Sequence, residues 1–425
     1  MAPRLPDLAF ARREPFLDRE RAARLLAVEG LDALLVGQAT NVFHATNHYP
    51  LSDRMSFRLS TLAVVPRDPA RPVALLIPAS SYYYIQSDDG LLPGVQPFVV
   101  TGPAAGAPSD TADGAPRAAD ARTYPIADPA DVTPREQRRR DALAAAAPYS
   151  PTMEHALRRA LRDLRLLDGR LGYDASGLAP LLAAAAPSAR TVEAEDTPRR
   201  LRFVRTPAEI RMMRIAAQAN VDAALATIRA ARSLGTLAAI RQRFYAEAAL
   251  RGNVGVFMVV DAVSSDAYDE PLRDGRSFMI DCVSHCRNFH GDYGRTVFLG
   301  EPRGRMARTT AVMARAWDEV RPRLRPGLRF SEVRALGERT LKKLGHDAPI
   351  GFGPHSVGLA HSDQPRTAPG GGPVDHVIEA GMILSVDVPL LETGTGGTAH
   401  LEDLVLVTPT GAEPIHDTGS PVYVV

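Results

Sequence analysis

Asp281 sits in the run SFMIDCVSH and Asp292 in HGDYGRTVFLG, with the polar stretch SHCRN between them. If the two runs pair as strands about the midpoint between Cys286 and Arg287, their carboxylates lie directly opposite each other. Asp387 in MILSVDVPLL and Glu402 in AHLEDLVLV repeat the arrangement about the Gly-rich turn TGTGG, with a midpoint between Gly394 and Thr395. Opposed residues of an antiparallel pair have Cβ atoms about 4.5–5.5 Å apart, and like charges there destabilise the sheet. One such pair reads equally well as two exposed acids at a hairpin end. Two pairs, each set among β-branched and apolar residues that imply burial, need a cation. All-carboxylate coordination suits Mn²⁺ or Mg²⁺, and one imidazole widens the choice to Mn, Fe, Co or Zn. His355, in the segment GFGPHSVGLAH between the hairpins and followed by His361, is the natural imidazole.

These side chains need a scaffold, and the chain is long enough to supply one. At 425 residues and 45% hydrophobic it can bury a large core and exceeds the usual size of one domain. Between residues 15 and 100, a helix around Glu14–Glu29 precedes the apolar runs LDALLVG, STLAVV and VALLIPA, a pattern that predicts a sheet covered by helices. From Thr101 to about Pro134 the composition turns to Gly, Ala, Pro, Asp and Ser, which predicts a long surface loop. Helices are expected at 152–166 and 177–186, flanking a strand near Leu171–Tyr173.

The start of the second domain is marked by Thr206-Pro207-Ala208-Glu209, a hydroxyl cap, a Pro at the first helical position and a Glu three residues after the cap. Ile210, Met213, Ala217, Val221, Ala224, Leu225 and Ile228 then recur at helical spacing. Further helices are expected at about 305–322 and 331–344, the latter ending at Gly345. Strand-like runs FMVVDAV, SFMIDCV, TVFLG, MILSVDVPLL and LEDLVLV surround them. The division therefore expected is a first domain over 1–197 and a catalytic domain over 198–425.

At this point the sequence resembles the creatinase/prolidase/methionine-aminopeptidase family, the M24 pita-bread proteins. The resemblance is carried by Asp281, Asp292, Arg295 and Thr296; by His355 followed by Gly358 and Leu359; by Gly381 and Met382 leading to Asp387; and by Glu402-Asp403 opening the last strand. The helix from Thr206 also looks like the family's opening helix. What the resemblance implies is an α+β chain, with a creatinase-like α/β N-terminal domain before the pita-bread domain. It further implies a pair of divalent metal ions, Mn²⁺ first and Co, Zn or Fe as alternatives. Asp281 would chelate one ion, His355 and Asp387 the other, and Asp292 and Glu402 would bridge them. A metal-bridged hydroxide would attack the carbonyl of a peptide or amide, as in Xaa-Pro dipeptidases and aminopeptidases. Asp387 would double as proton shuttle, His361 would stabilise the oxyanion, and the family's usual homodimer is expected.

Several positions depart from that pattern. Asp387 stands where the family usually has Glu. Ser264 occupies the place of a substrate-binding His, and His400 that of an Arg that contacts substrate in prolidases. His355 and His361 are six residues apart rather than seven. His290, His400 and Tyr268 are the candidates for contacting substrate. His285 is a weaker one, His44 and His48 read as surface or loop residues, and Cys282 reads as a small buried hydrophobe. With the metal cage nearly intact and the peptide grips altered, two alternatives stay open. One is a same-fold enzyme acting on a small non-peptide metabolite, by C–N hydrolysis or as a lyase; the other is a non-catalytic binding descendant.

Composition narrows the partners. A net charge of +1 from 50 basic and 49 acidic residues gives no bulk attraction to nucleic acid or an anionic membrane, leaving a small molecule or short peptide as the expected substrate. Two cysteines, Cys282 and Cys286, cannot form a disulfide framework and suit a reducing compartment. The N-terminal residues lack a signal-peptide core and no run of about 18 apolar residues follows. The expectation is a cytoplasmic protein.

Overall fold

The apolar runs of the first half become strands buried on both faces. The computed structural model describes residues 6–85, 90–101, 126–346, 350–368, 372–390 and 394–425. The chain divides into two units between Arg202 and Phe203.

The first unit contains, in order, α1 (Arg19–Val28), β1 (Ala33–Val36), α2 (Ala39–Thr46), α3 (Leu51–Arg54), β2 (Leu62–Pro66), β3 (Val73–Pro78) and α4 (Ala79–Ile85). It continues with β4 (Val95–Val100), α5 (Pro134–Ala145), α6 (Met153–Asp163), β5 (Arg170–Tyr173), α7 (Ala179–Ala185), β6 (Arg190–Glu193) and α8 (Thr197–Arg202). Among the described residues its strands order as β4-β3-β2-β1-β5-β6. β2 runs antiparallel to both β1 and β3, and the other pairs are parallel. Alternate residues of each strand enter different cores. Leu34, Val36, Val65 and Leu75 pack with Ala22 and Leu26 of α1. Leu35, Val64 and Leu76 pack with Leu157 and Leu161 of α6. Helices on both faces are why these strands read as unbroken apolar runs instead of alternating ones.

Two details differ from expectation. α1 begins only at Arg19, because Asp18 accepts from the Arg21 amide and caps it there. His44 is no surface residue: it is 3% exposed, inside α2. Of the expected loop, residues 102–125 lie outside the described residues, as do 1–5 and Thr393 of the TGTGG turn.

The second unit contains α9 (Pro207–Leu234), α10 (Leu237–Leu250), β7 (Val254–Val260), β8 (Ser277–Cys286), β9 (Phe289–Phe298), α11 (Gly304–Val320) and α12 (Phe330–Lys343). β10 (Gly353–Ser356), β11 (Ile383–Pro389), β12 (His400–Thr408), β13 (Gly411–Pro414) and β14 (Val422–Val424) follow. The capping box forms as expected: Glu209 N donates to Thr206 Oγ1 at 3.2 Å, and Thr206 N to the Glu209 carboxylate at 2.9 Å. Gly235, with φ 74°, ends the helix. The buried face of α9 is rich in alanine and lies hard against β9. A Cβ on Gly291 would come within 2.8 Å of the Ala216 carbonyl oxygen and 2.9 Å of Ala217 Cα.

The sheet runs β10-β11-β12-β9-β8-β7, with β13 added beside β12 and β14 beside β9. All these pairs are antiparallel except β14 with β9. Two helix pairs back it. Ile280, Cys282, Tyr293 and Val297 pack with α9 and α10. Leu384, Val386, Leu401 and Val405 pack with α11 and α12. This is the pita-bread arrangement. Because strand residues alternate, Asp281, Asp292, Asp387 and Glu402, each adjacent in sequence to one of those core residues, point to the face opposite these helix pairs.

Candidate active site

One row of paired residues crosses the sheet and carries most of the chemistry. Asp281 pairs with Gly294, Gly294 with Glu402, Glu402 with Asp387, and Asp387 with Gly353. Asp292 lies two residues before Gly294, His400 two before Glu402 and His355 two after Gly353, so all share that face. The Asp387–Glu402 opposition is the one the hairpin midpoint predicts. The Asp281–Asp292 opposition is not formed: Val283, two residues further along β8, faces Asp292. The hairpin turns at Arg287-Asn288, whose φ angles of 48° and 67° suit a two-residue I′ connection, one residue beyond the midpoint expected.

The side chains converge closely. His355 Nε2 lies 3.3 Å from Asp387 Oδ2, 3.6 Å from Glu402 Oε1 and 3.7 Å from Asp292 Oδ2. His361 Nε2 is 3.0 Å from Asp292 Oδ2. His400 Nε2 is 3.3 Å from Asp387 Oδ1 and 3.6 Å from Glu402 Oε2. Among the described residues, three sets each bring one donor atom per residue within 4.8 Å of one another: Asp292, His355 and His361; Asp281, His400 and Glu402; and His355, Asp387 and Glu402.

Electrostatically this cluster is unbalanced. Burial, reinforced by Asp292 and Asp387, pushes the Asp281 carboxyl up to about 6. Burial and the three neighbouring acids push Glu402 well above the carboxylate range. Burial opposes charge on His355, but Asp387 and Asp292 outweigh it and raise the imidazole to about 9. Asp387 moves the other way: despite burial, His355 and His400 hold it below its ordinary value. Asp281 Oδ1, both Asp292 oxygens and Glu402 Oε2 are buried without an aligned hydrogen bond. Buried carboxylates without donors are costly. Oxygen and imidazole donors converging on the same points fit divalent cations.

Several residues that hold this arrangement escape a reading of spacing. Arg295 is fully buried; it donates to the Gly294 and Glu402 carbonyls at 2.7 Å each and pairs with Asp403 at 2.6 Å, tying β9 to β12 at the level of the acids. Trp317 Nε1 donates to the other Asp403 oxygen. Ser385 Oγ donates to Glu402 Oε1 at 2.5 Å. Arg205 Nη2 reaches Asp363 at 3.0 Å and the Val357 carbonyl at 3.0 Å, fixing the segment between His355 and His361. A Cβ on Gly358 would strike Arg205 Nη2 at 2.0 Å, so a larger residue there would displace the Arg205–Asp363 contact. Arg295 and Asp403 were visible in the sequence as motif residues, whereas Arg205 and Asp363 gave no signal.

The remaining candidates separate clearly. His290 is 9% exposed and holds the Gly358 carbonyl through Nδ1 at 3.0 Å, which places it behind the His361 segment. His285 Nδ1 accepts from the Asn288 amide and braces the β8–β9 turn. Cys282 is fully buried, as a small hydrophobe would be. Tyr268 is 48% exposed and its hydroxyl donates to Glu270; none of its described contacts reaches the acids.

Residues 211–409 match the model of metallopeptidase family M24. A segment of 159 residues is 28% identical to a probable dipeptidase PepE of Mycobacterium tuberculosis, covering 37% of this chain and 41% of that relative. The match therefore spans about two fifths of the relative's length. An Xaa-Pro dipeptidase from Bacillus anthracis superposes with a TM-score of 0.69 at 17% identity, over 96% of this chain and 99% of its own. The dipeptidase PepE of Mycobacterium ulcerans gives 0.62 at 20% identity, over 99% and 100%. At these identities the solved structures establish the fold alone, over both the pita-bread domain and the domain before it.

Proposed function

We propose that this chain is a metal-dependent hydrolase of short peptides, with Xaa-Pro dipeptides as the first substrates to test. The observation that carries the proposal is the cluster of Asp281, Asp292, His355, Asp387 and Glu402, converging on one face of the domain that matches family M24, with buried oxygens that make no aligned hydrogen bond. Two divalent cations bound there, Mn, Co, Zn or Fe, would polarise a carbonyl and lower the pKa of water. The protein's residues would do the rest. Asp387 has 30% of its side chain exposed, against 0% and 1% for Asp292 and Glu402, so it is placed to exchange protons with a substrate. His361 is 36% exposed, and the adjoining Asp292 raises its pKa against the effect of burial. A protonated His361 can donate to an oxyanion. Phe257 packs edge-on to its ring at 5.0 Å and limits where it points. His290 supports that segment from behind, and Tyr268 would contribute only if the substrate extends beyond the cluster.

A second reading, the same chemistry on a small non-peptide amide, is favoured by Ser264 and His400, which replace the residues that grip peptide in prolidases. His400 is 4% exposed and offers a substrate almost no surface. The family resemblance further supports a homodimer. Among the described residues no helix is long and apolar enough to cross a membrane.

The deciding experiment measures bound metal by elemental analysis alongside release of free proline from Ala-Pro, for the unaltered chain and for Asp292→Ala. Metal-dependent release abolished in the variant supports the peptidase. Bound metal without proline release moves the assignment to the non-peptide reading. Absence of metal and of turnover leaves a binding protein.

A further inference from the structure

His400 differs from two other deeply buried histidines, His290 and His416. His290 satisfies Nδ1 on the Gly358 carbonyl. His416 receives the Leu404 amide on Nε2 and places Nδ1 3.0 Å from the Asp417 carbonyl. His400 has neither arrangement: both ring nitrogens are buried and neither makes an aligned hydrogen bond. Burial strips this ring of its hydration, and no aligned hydrogen bond replaces it.

The backbone nevertheless fixes the ring firmly. His400 N donates to Thr296 Oγ1 at 3.0 Å, and the same hydroxyl donates to the His400 carbonyl at 3.1 Å. The ring lies over Gly294, where a Cβ would come within 2.9 Å of His400 Cδ2. From there Nε2 faces the carboxylates of Asp387 and Glu402. One donor atom each from Asp281, His400 and Glu402 falls within the same 4.8 Å span.

Resting on the metal-dependent reading above, we propose that His400 is itself a metal ligand, completing with Asp281 and Glu402 the site of one cation. The position that would otherwise grip substrate then serves the metal. Each of the two cations gains an imidazole, His400 at one and His355 at the other. Nitrogen donors favour the later divalent ions of the first row, so the pair prefers Zn²⁺ or Co²⁺ over Mn²⁺ more strongly than a carboxylate-only first site would.

The test uses the full chain stripped with chelator, then titrated with Zn²⁺ and with Mn²⁺ by calorimetry. Unaltered protein, His400→Ala and the volume-preserving His400→Gln are compared, with circular dichroism confirming that each is folded. The expected result is two Zn²⁺ per unaltered chain, with one site weakened at least about tenfold in both variants. Mn²⁺ affinity should fall less. Zinc-edge X-ray absorption of the fully loaded proteins should lose one imidazole's scattering in His400→Gln. Unchanged imidazole scattering overturns the proposal, even if affinity falls, because it leaves His400 only a positioning residue. If the unaltered chain binds no Zn²⁺, the metal-dependent reading fails as well, an outcome separable from loss of the His400 claim alone.

Discussion

Gly294 pairs with Glu402 across β9 and β12, and its missing side chain leaves room for both the acid and the neighbouring imidazole. A Cβ there would stand 2.9 Å from Glu402 Cβ and 2.9 Å from His400 Cδ2, in a strand already pinned by Arg295. Neither neighbour can retreat, because Arg295 holds the Glu402 carbonyl and Thr296 holds the His400 backbone. Gly294→Ala should therefore destabilise the chelator-treated protein by about 1–3 kcal/mol in urea denaturation. It should also weaken metal binding, whereas Gly275→Ala, at an open positive-φ turn, should leave metal affinity unchanged.

The same crowding predicts opposite effects of one substitution with and without metal. Asp292 is completely buried, and neither of its oxygens makes an aligned hydrogen bond. Asp292→Asn removes one of the like charges that raise Asp281 and Glu402. In chelator the variant should melt at or above the temperature of the unaltered protein. With divalent metal present the order should reverse, because the unaltered protein gains binding energy and the variant does not. Paired thermal melts decide this, and a variant that is less stable under both conditions would contradict it.

Glu209 gives a pH dependence remote from the acids. Burial pushes its carboxyl up to about 7, partly countered by Arg205. A carboxyl raised on folding stabilises fully below its unfolded value near 4.5, and that contribution disappears as pH rises through about 7. The unaltered chain should lose stability between pH 5 and pH 8, with this group supplying at most about 3 kcal/mol. Glu209→Gln keeps an oxygen for the Thr206 amide and removes the titration, so its stability should vary less over that interval. Urea melts at the two pH values compare the slopes directly.

What the sequence made legible follows from how local each feature is. The Thr206–Glu209 box is complete within four residues, and the β11–β12 register follows from one Gly-rich turn. The first hairpin was harder because SHCRN contains no glycine to mark the tip, and Arg287-Asn288 supplies the left-handed pair instead. The resulting shift moves the partner of Asp281 by two positions, which preserves the face of every side chain. That is why Asp281 and Asp292 still meet the other acids although they do not face each other. Arg205 and Asp363 are separated by 158 residues and meet only in the folded domain. No local pattern could join them. His400 stood out only as a departure from a substrate-contact position, since its burial depends on Gly294 and on the β9–β12 register.

Asp387 and His400 are departures from the family pattern that touch, and the contact suggests that they work as a pair. Asp387 Oδ1 lies 3.3 Å from His400, while Oδ2 lies 3.3 Å from His355, so this short acid fits between two imidazoles. Restoring the usual length with Asp387→Glu inserts a methylene where both sides are occupied. A displacement of about 1 Å at a reacting group can lower rate on the order of 100-fold. The single substitution should therefore reduce both metal affinity and turnover. In His400→Ala the space beside residue 387 is open, and Asp387→Glu should cost markedly less there. A double-mutant cycle on Zn²⁺ affinity measures the difference, with coupling of about 0.5–3 kcal/mol expected for residues in contact. Simple additivity would show that neither the shorter acid nor the histidine makes room for the other.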